Sequence, residues 1–162
     1  MNDTRMQITA PETNDPQRAG LARRLGSMFY DSLLVFAVGW SVTAAVIGLR
    51  VWLDGAGQLQ AAGGRAAAGP LLQLPLFAAV TVFFVWFWRR SGQTLGMQSW
   101  RLKLETETGE LISWQTGLCR LALALLSFLC LGAGYWWILV DPQRRAWHDR
   151  WTGTRVIVLP KR

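Results

Sequence analysis

Histidine, cysteine and acidic residues are what this chain has least of. Its 162 residues include one His, two Cys, and ten Asp and Glu against seventeen Lys and Arg, for a formal net charge of +7. One histidine and two cysteines cannot furnish an ordinary zinc site. Cys119 and Cys130 fall inside one apolar block, where a buried cysteine acts as a small hydrophobe, so neither a disulfide framework nor a metal centre is indicated. There is no Ser-His-Asp order and no Cys-His pair, so the chain does not read as an enzyme, and no cofactor is expected. Gly92-Gln93-Thr94-Leu95-Gly96 resembles a phosphate loop only superficially, because it lacks the Lys and Ser/Thr ending that such a loop needs. The first residues are polar, with Pro11, Asn14 and Pro16 and no apolar stretch of signal-peptide type. Residues 1–19 are therefore expected to be a disordered tail.

What the chain does have is hydrophobic length. Despite its charge, 51% of its residues are hydrophobic. They are gathered into long blocks with Arg at the edges, whereas a soluble basic protein would spread its charge along surface helices. A nucleic-acid partner is not expected, and membrane lipids are. Ten Trp is a high count, and Trp52, Trp88, Trp100, Trp114 and Trp136 stand near block ends, where amphipathic rings favour the membrane interface.

The first block runs from about Leu25 to Leu49 and contains one acid, Asp31. About 20 apolar residues cross a bilayer core, so it is long enough. A Gly- and Ala-rich connection from Arg50 to Gly69 follows, with the composition of a flexible loop. The second block, Pro70 to Trp88, is uncharged and stops at Arg89-Arg90; Pro75 lies in its early turns, where proline is tolerated. Residues 91–100 read as an interfacial turn and a short helix. Arg101-Leu102-Lys103-Leu104-Glu105 alternates with the period of a half-buried strand. After the turn signal Thr108-Gly109-Glu110, Leu111-Ile112 is a candidate second strand. A third block, Trp114 to Val140, carries Arg120 early and Gly132 and Gly134 in its second half, and Val156–Leu159 closes the chain as a short strand.

Charge orients these blocks. Arg5, Arg18, Arg23 and Arg24 precede the first, and Arg89, Arg90, Arg101 and Lys103 follow the second. The connection between them holds only Arg50 and Arg65. Excess Lys and Arg marks cytoplasmic loops, so blocks one and two form a hairpin with the N-terminus inside. A single crossing by the third block would put the basic tail, with Arg144, Arg145, Arg150, Arg155, Lys161 and Arg162, on the opposite side. The favoured alternative is a segment that breaks near Gly132 and Gly134 and returns, which lets Val156–Leu159 pair with Leu102–Glu105. The expected fold is thus an all-α membrane protein. It comprises a transmembrane helical hairpin, a third broken or re-entrant hydrophobic segment, and a small cytoplasmic β-hairpin or sheet. Its place is the inner (plasma) membrane, as a multi-pass protein. The domain covers residues 20–159, followed by the basic end 160–162.

Arg24 and Asp31 are the most informative pair. Seven residues make two helical turns, so they share a face about 10 Å apart along the axis. A carboxylate at that depth costs roughly 2.5–3.5 kcal/mol unless partnered. It is expected to face the helix bundle, with Arg120 or Arg24 as its closest cation; the competing reading is a hydrogen bond to neighbouring backbone. His148 is the one side chain that titrates near neutrality, and beside Asp149 and Arg150 it reads either as a proton relay or as part of a solvated polar tail.

Taken together, Arg23-Arg24-Leu25 with Asp31, Gly92-Gln93-Thr94-Leu95-Gly96, Leu102-Lys103-Leu104, Gly109-Glu110, Arg120 and His148-Asp149-Arg150-Trp151-Thr152-Gly153-Thr154 resemble the RDD family of small membrane proteins. The resemblance spans residues 20–159. It implies that Arg24, Asp31 and Asp149 are the name-giving Arg and two Asp, Asp141 being a poorer match for the last. Many members follow the Gly-Gln-Thr segment with a basic pair, where this chain has Met97-Gln98. What the resemblance implies for function is transport of a small ion or solute, cation–proton exchange among the suggestions; because three short membrane segments make a thin wall for a pathway, a transporter of this kind is expected to work as a homo-oligomer. The alternative is a non-transporting module that binds a partner protein or anionic lipid through its basic cytoplasmic face.

Overall fold

In the computed structural model of the chain, residues 17–55, 57 and 69–160 are described. Helix α1 runs from Leu21 to Asp54 and helix α2 from Pro70 to Ser91. Both are long and apolar enough to cross a bilayer, over Leu21–Leu53 and Leu72–Ser91. Helix α1 continues through Arg50 and Trp52, so the connection expected to start at Arg50 starts after Asp54; the remainder of that connection lies almost wholly outside the described residues. Phe29, Phe36 and Trp40 on α1 and Leu74 and Phe77 on α2 are exposed. Large apolar side chains facing outward in such numbers mark a surface made for lipid. Pro70 opens α2 at a position where its missing N–H is no loss, and Pro75 sits within the helix without ending it.

At the other end of α2 the chain turns tightly. Gly92 adopts a left-handed conformation (φ +71°) and caps the helix by donating to the Trp88 carbonyl at 3.0 Å. A short helix α3, Leu95–Ser99, leads into strand β1, Leu102–Thr106. Helix α4, Trp114–Leu129, starts from a Ser113 cap, whose hydroxyl accepts the Thr116 N–H. The third apolar block then breaks at Leu131 and Gly132, both at positive φ. A short helix α5, Ala133–Trp136, and a 3₁₀ turn, Trp137–Leu139, follow at 102° to α4. Gly134 permits the fold-back, since a Cβ there would lie 2.4 Å from Ser127 Oγ. Helix α6, Trp147–Trp151, and strand β2, Thr154–Val158, complete the chain.

Strand β1 pairs with β2, as expected for Leu102–Glu105 and Val156–Leu159, and the pairing is antiparallel with Leu102 opposite Val158 and Leu104 opposite Val156. Leu111-Ile112 does not form the second strand. The far edge of β1 is occupied instead by the turn after α2: Leu104 N–H donates to the Gly92 carbonyl at 2.7 Å, and Gln93 Nε2 to the Leu102 carbonyl at 2.6 Å. Residues 17–19, assigned from sequence to the disordered tail, run beside β2: Ala19 N–H donates to Val156 O and Val158 N–H to Gln17 O, each at 2.8 Å. Residues 1–16 lie outside the described residues. The start of α1, the end of α2 and both strands therefore meet at one end of the bundle. The core there consists of Ala19, Trp88, Met97, Leu102, Leu104, Ile112 and Val156. Trp88 belongs to this core and not to an exposed interfacial belt, because the Arg120 guanidinium lies over its ring, 5.6 Å from the centroid. Neither Cys119 nor Cys130 is buried within the protein, contrary to the expectation for both.

Candidate functional site

Two polar knots hold this end together, and each joins segments far apart in sequence. The first centres on Asp149. It is the third residue of α6, from which its Oδ2 reaches back to the Ala146 N–H at 3.0 Å and satisfies a donor left free at the helix start. The same carboxylate receives Arg24 Nη1 of α1 at 2.5 Å and Arg120 Nη2 of α4 at 2.6 Å. Arg24 spends its remaining donors on the carbonyls of Ala19 and Arg144, both at 3.2 Å. Arg120 Nη1 donates to Thr154 Oγ1 at 2.5 Å. Asp149 is wholly buried and the two arginines nearly so. One carboxylate thus pins α1, α4 and α6 to one another.

The second knot centres on Asp31. Its Oδ2 accepts the Thr94 hydroxyl at 2.5 Å and its Oδ1 the Gly96 N–H at 2.9 Å. Thr94 is also the cap of α3, its oxygen accepting the Met97 N–H at 3.2 Å. Gly96 is required by close approach: a Cβ there would lie 2.3 Å from the Ser27 carbonyl and 2.7 Å from Asp31 Cγ. The segment Gly92-Gln93-Thr94-Leu95-Gly96 is thereby accounted for residue by residue. Gly92 turns the chain, Gln93 holds β1, Thr94 caps α3 and grips Asp31, and Gly96 lets α3 lie on α1.

Asp31 does face the bundle, but the ion pair expected with Arg120 or Arg24 is not made. Both arginines go to Asp149, and the partners of Asp31 are a hydroxyl and an amide. His148 and Asp149 are not part of a solvated tail either, since both are buried. Burial would by itself raise the Asp149 carboxyl, but Arg24 and Arg120, helped by His148 and the Ala146 N–H, hold it well below the usual carboxylate range. Burial and the positive field of Arg120, with a smaller push from Arg24, drive the His148 imidazole down to about 3, although Asp149 pulls the other way. His148 is therefore neutral at physiological pH. Its Nε2 stands 3.6 Å from Asp149 Oδ1, too long for a hydrogen bond, and its Nδ1 has no partner among the described residues. Its ring packs against Tyr135, with centroids 4.8 Å apart.

The knots border a partly open cleft of about 450 Å³ between α1, α2 and α4. Arg24, Ser27, Asp31, Arg120 and His148 contribute to its polar end. Leu102, Leu104 and Val156 of the sheet close its floor, and Val35, Phe84, Ala124 and Phe128 make its walls apolar. All five charged or titratable residues singled out from sequence thus line or adjoin one cleft. Sequence reasoning missed Tyr135, and it noted Thr94 and Thr154 only as parts of the family segments, with no role of their own. A threonine ahead of Leu95-Gly96-Met97 is the signal of a helix cap and could have located it.

The sequence model of the RDD family matches residues 18–153. No curated protein and no solved structure matches the chain significantly.

Proposed function

The chain belongs to the RDD family and is an integral membrane protein, and from that premise we propose that it is a membrane-embedded binding module whose ligand enters the cleft between α1, α2 and α4. One observation carries this reading: the cleft is polar at one end and apolar along its walls. A concave site with mostly apolar walls and a few convergent polar groups suits an amphiphile. Neither charged knot offers a reacting group, because Asp149 is held by two arginines and Asp31 by Thr94 and Gly96. The assigned role is therefore binding, without covalent chemistry. In this reading the sheet and both termini lie in the cytoplasm, which the excess of Arg on the flanks of α1 and α2 supports, and the membrane is the plasma membrane. Cysteine labelling at Arg162 checks this, and labelling only from outside the cell would overturn it.

Binding is tested by thermal unfolding in detergent with added single-chain amphiphiles. A ligand that binds only the folded state raises the midpoint as its concentration exceeds Kd. The expected result is a concentration-dependent rise in wild type and none in Ala124→Phe, which fills the cleft. No rise with any amphiphile would overturn the reading. A second reading is transport of a small ion or solute by an oligomer, favoured by the presence of the Asp31 carboxylate on the cleft wall. Proteoliposome flux that is present in wild type and lost in Asp31→Asn supports it, and absent flux in both removes it.

A further inference from the structure

The cleft has a length, a direction and a charge, and together these narrow its occupant. On α1 it extends from Arg24 to Val35, eleven residues, or about 16 Å at the helical rise. That is about half of a 30 Å hydrocarbon core, the depth of one leaflet. The cleft lies beside stretches of α1 and α4 whose outward residues, Phe29, Leu33, Leu126 and Leu129, are exposed and apolar. Its open side therefore faces acyl chains. At the polar end, two guanidiniums, Arg24 and Arg120, share a single carboxylate, Asp149, so this knot alone carries one more cation than anion, although Asp31 brings the cleft as a whole to two arginines against two acids. Asp31 lies two turns further along α1, with both oxygens engaged by α3. His148, which also lines the cleft, is 2% exposed and has an unpartnered Nδ1.

We propose that this cleft is a site for one anionic glycerophospholipid of the surrounding leaflet. One acyl chain lies between α1 and α4 against Ala124, Leu125 and Phe128. The phosphate end sits beside Arg24 and Arg120, within reach of His148. This rests on the binding reading above and names its ligand class. The recognition is lateral: the lipid enters between the helices from the bilayer without leaving it. An apolar space walled by helices in a membrane is filled by hydrocarbon, because unfilled walls forfeit dispersion contacts. The one positive charge by which Arg24 and Arg120 exceed Asp149, two helical turns from Asp31, then selects among headgroups.

The test uses the full chain purified in a nonionic detergent. It is exposed to mixed vesicles of phosphatidylglycerol and phosphatidylcholine with matched acyl chains, and retained lipid is counted by native mass spectrometry. The expected result is one phosphatidylglycerol per chain, favoured at least tenfold over phosphatidylcholine. Ala124→Phe is expected to abolish the adduct. Ser32→Phe, at the exposed mouth of the cleft, is expected to weaken it at least tenfold, and it keeps the test open if Ala124→Phe does not fold. Equal retention of the two lipids would overturn the headgroup assignment and leave the binding module intact. Displacement of the lipid by millimolar inorganic phosphate would show a free-anion site and overturn the acyl-chain assignment. Retention of neither lipid, with detergent amphiphiles still stabilising wild type but not Ala124→Phe, would overturn this proposal alone. Loss of that stabilisation as well would remove the binding reading beneath it.

Discussion

Replacing Asp149 by Asn removes one charge and almost no volume. The amide can still accept from Ala146 and one arginine, so the change isolates electrostatics from packing. In wild type the carboxylate oxygens stand 2.5 and 2.6 Å from the nitrogens of Arg24 and Arg120. Unit charges about 4 Å apart attract by roughly 4 kcal/mol at an effective dielectric near 20. Two such attractions oppose the desolvation of three ions, several kcal/mol each, so the intact knot is close to balance. Asp149→Asn keeps the desolvation of both guanidiniums, removes both attractions, and leaves the two cations to repel one another. Breaking a buried pair in this way costs about 3–5 kcal/mol. For a chain of this size that is a midpoint lowered by about 10 °C. The assay is thermal unfolding in detergent, followed by near-ultraviolet circular dichroism of the tryptophans. A cycle with Arg24→Gln completes it: the double variant should be at least 1 kcal/mol more stable than the summed single losses predict, because one uncompensated cation has gone. A single Asp149→Asn variant within 1 kcal/mol of wild type would refute the claim that this carboxylate ties the three helices.

Thr94→Val removes both the hydroxyl given to Asp31 and the cap of α3, and should cost about 2–4 kcal/mol by the sum of a lost cap and an unsatisfied buried acceptor; Thr94→Ser should recover most of it in the same unfolding assay. Gly96→Ala should destabilise by about 1–3 kcal/mol, since its Cβ would press on the fixed Ser27 carbonyl. Gly26→Ala, whose Cβ would meet the partly exposed Trp100 ring, should cost less, and equal losses would contradict the contact geometry. Stability should fall with acid in two stages. The unfolded chain protonates His148 near 6.5 while the folded chain resists to about 3, so unfolding takes up a proton between those values and stability drops by up to about 1.4 kcal/mol per pH unit. The depressed Asp149 adds stability that is present above its unfolded value of 3.8 and is lost below it. His148→Gln should flatten the first stage and leave the second, and an unchanged pH profile would contradict a neutral buried imidazole.

How much of this was legible depended on whether the signal was local. The apolar lengths of α1 and α2 depend on composition alone and stood in the sequence, as did the break near Gly132. The pairing of β1 with β2 followed from charge, because basic flanks put both segments on one side; the register did not, since Val156–Leu159 is apolar throughout and does not alternate. Asp31 shows the limit. Its isolation within an apolar block says that it needs a partner, but hydroxyl and amide donors occur along the whole chain and cations do not, so the expectation settled on arginine. The Thr94 cap resolves that choice in three dimensions only. Asp149 is separated from Arg24 by 125 positions, and its neighbours Arg144, Arg145 and Arg150 give the segment the composition of a solvated tail. Only the fold-back of the third block, made possible by Leu131, Gly132 and Gly134, carries Asp149 under α1 and buries it.

The location of the two knots follows from the solvent. In water, α1 and α2 would be driven together by their apolar faces, but lipid tails are as apolar as those faces, so that force is absent in a bilayer. Helices there are held by packing and by polar contacts, and in this chain the charged contacts gather at one end. Along its far half α1 presents Phe36, Trp40, Leu49 and Trp52 outward and has no ion pair among the described residues. At the near end, Asp31 fastens α1 to the turn that follows α2, and Arg24 fastens it to the segment that follows α4. The three family signatures therefore do one structural job from three parts of the chain: they close the bundle at the end where the sheet caps it, and they leave α1 and α4 apart above. That separation is the cleft. The same residues that hold the fold set the polar end of the site, so variants that alter Arg24 or Arg120 will change stability and binding together, whereas Ala124 and Ser32, which carry no part of the knots, can report on the cleft alone.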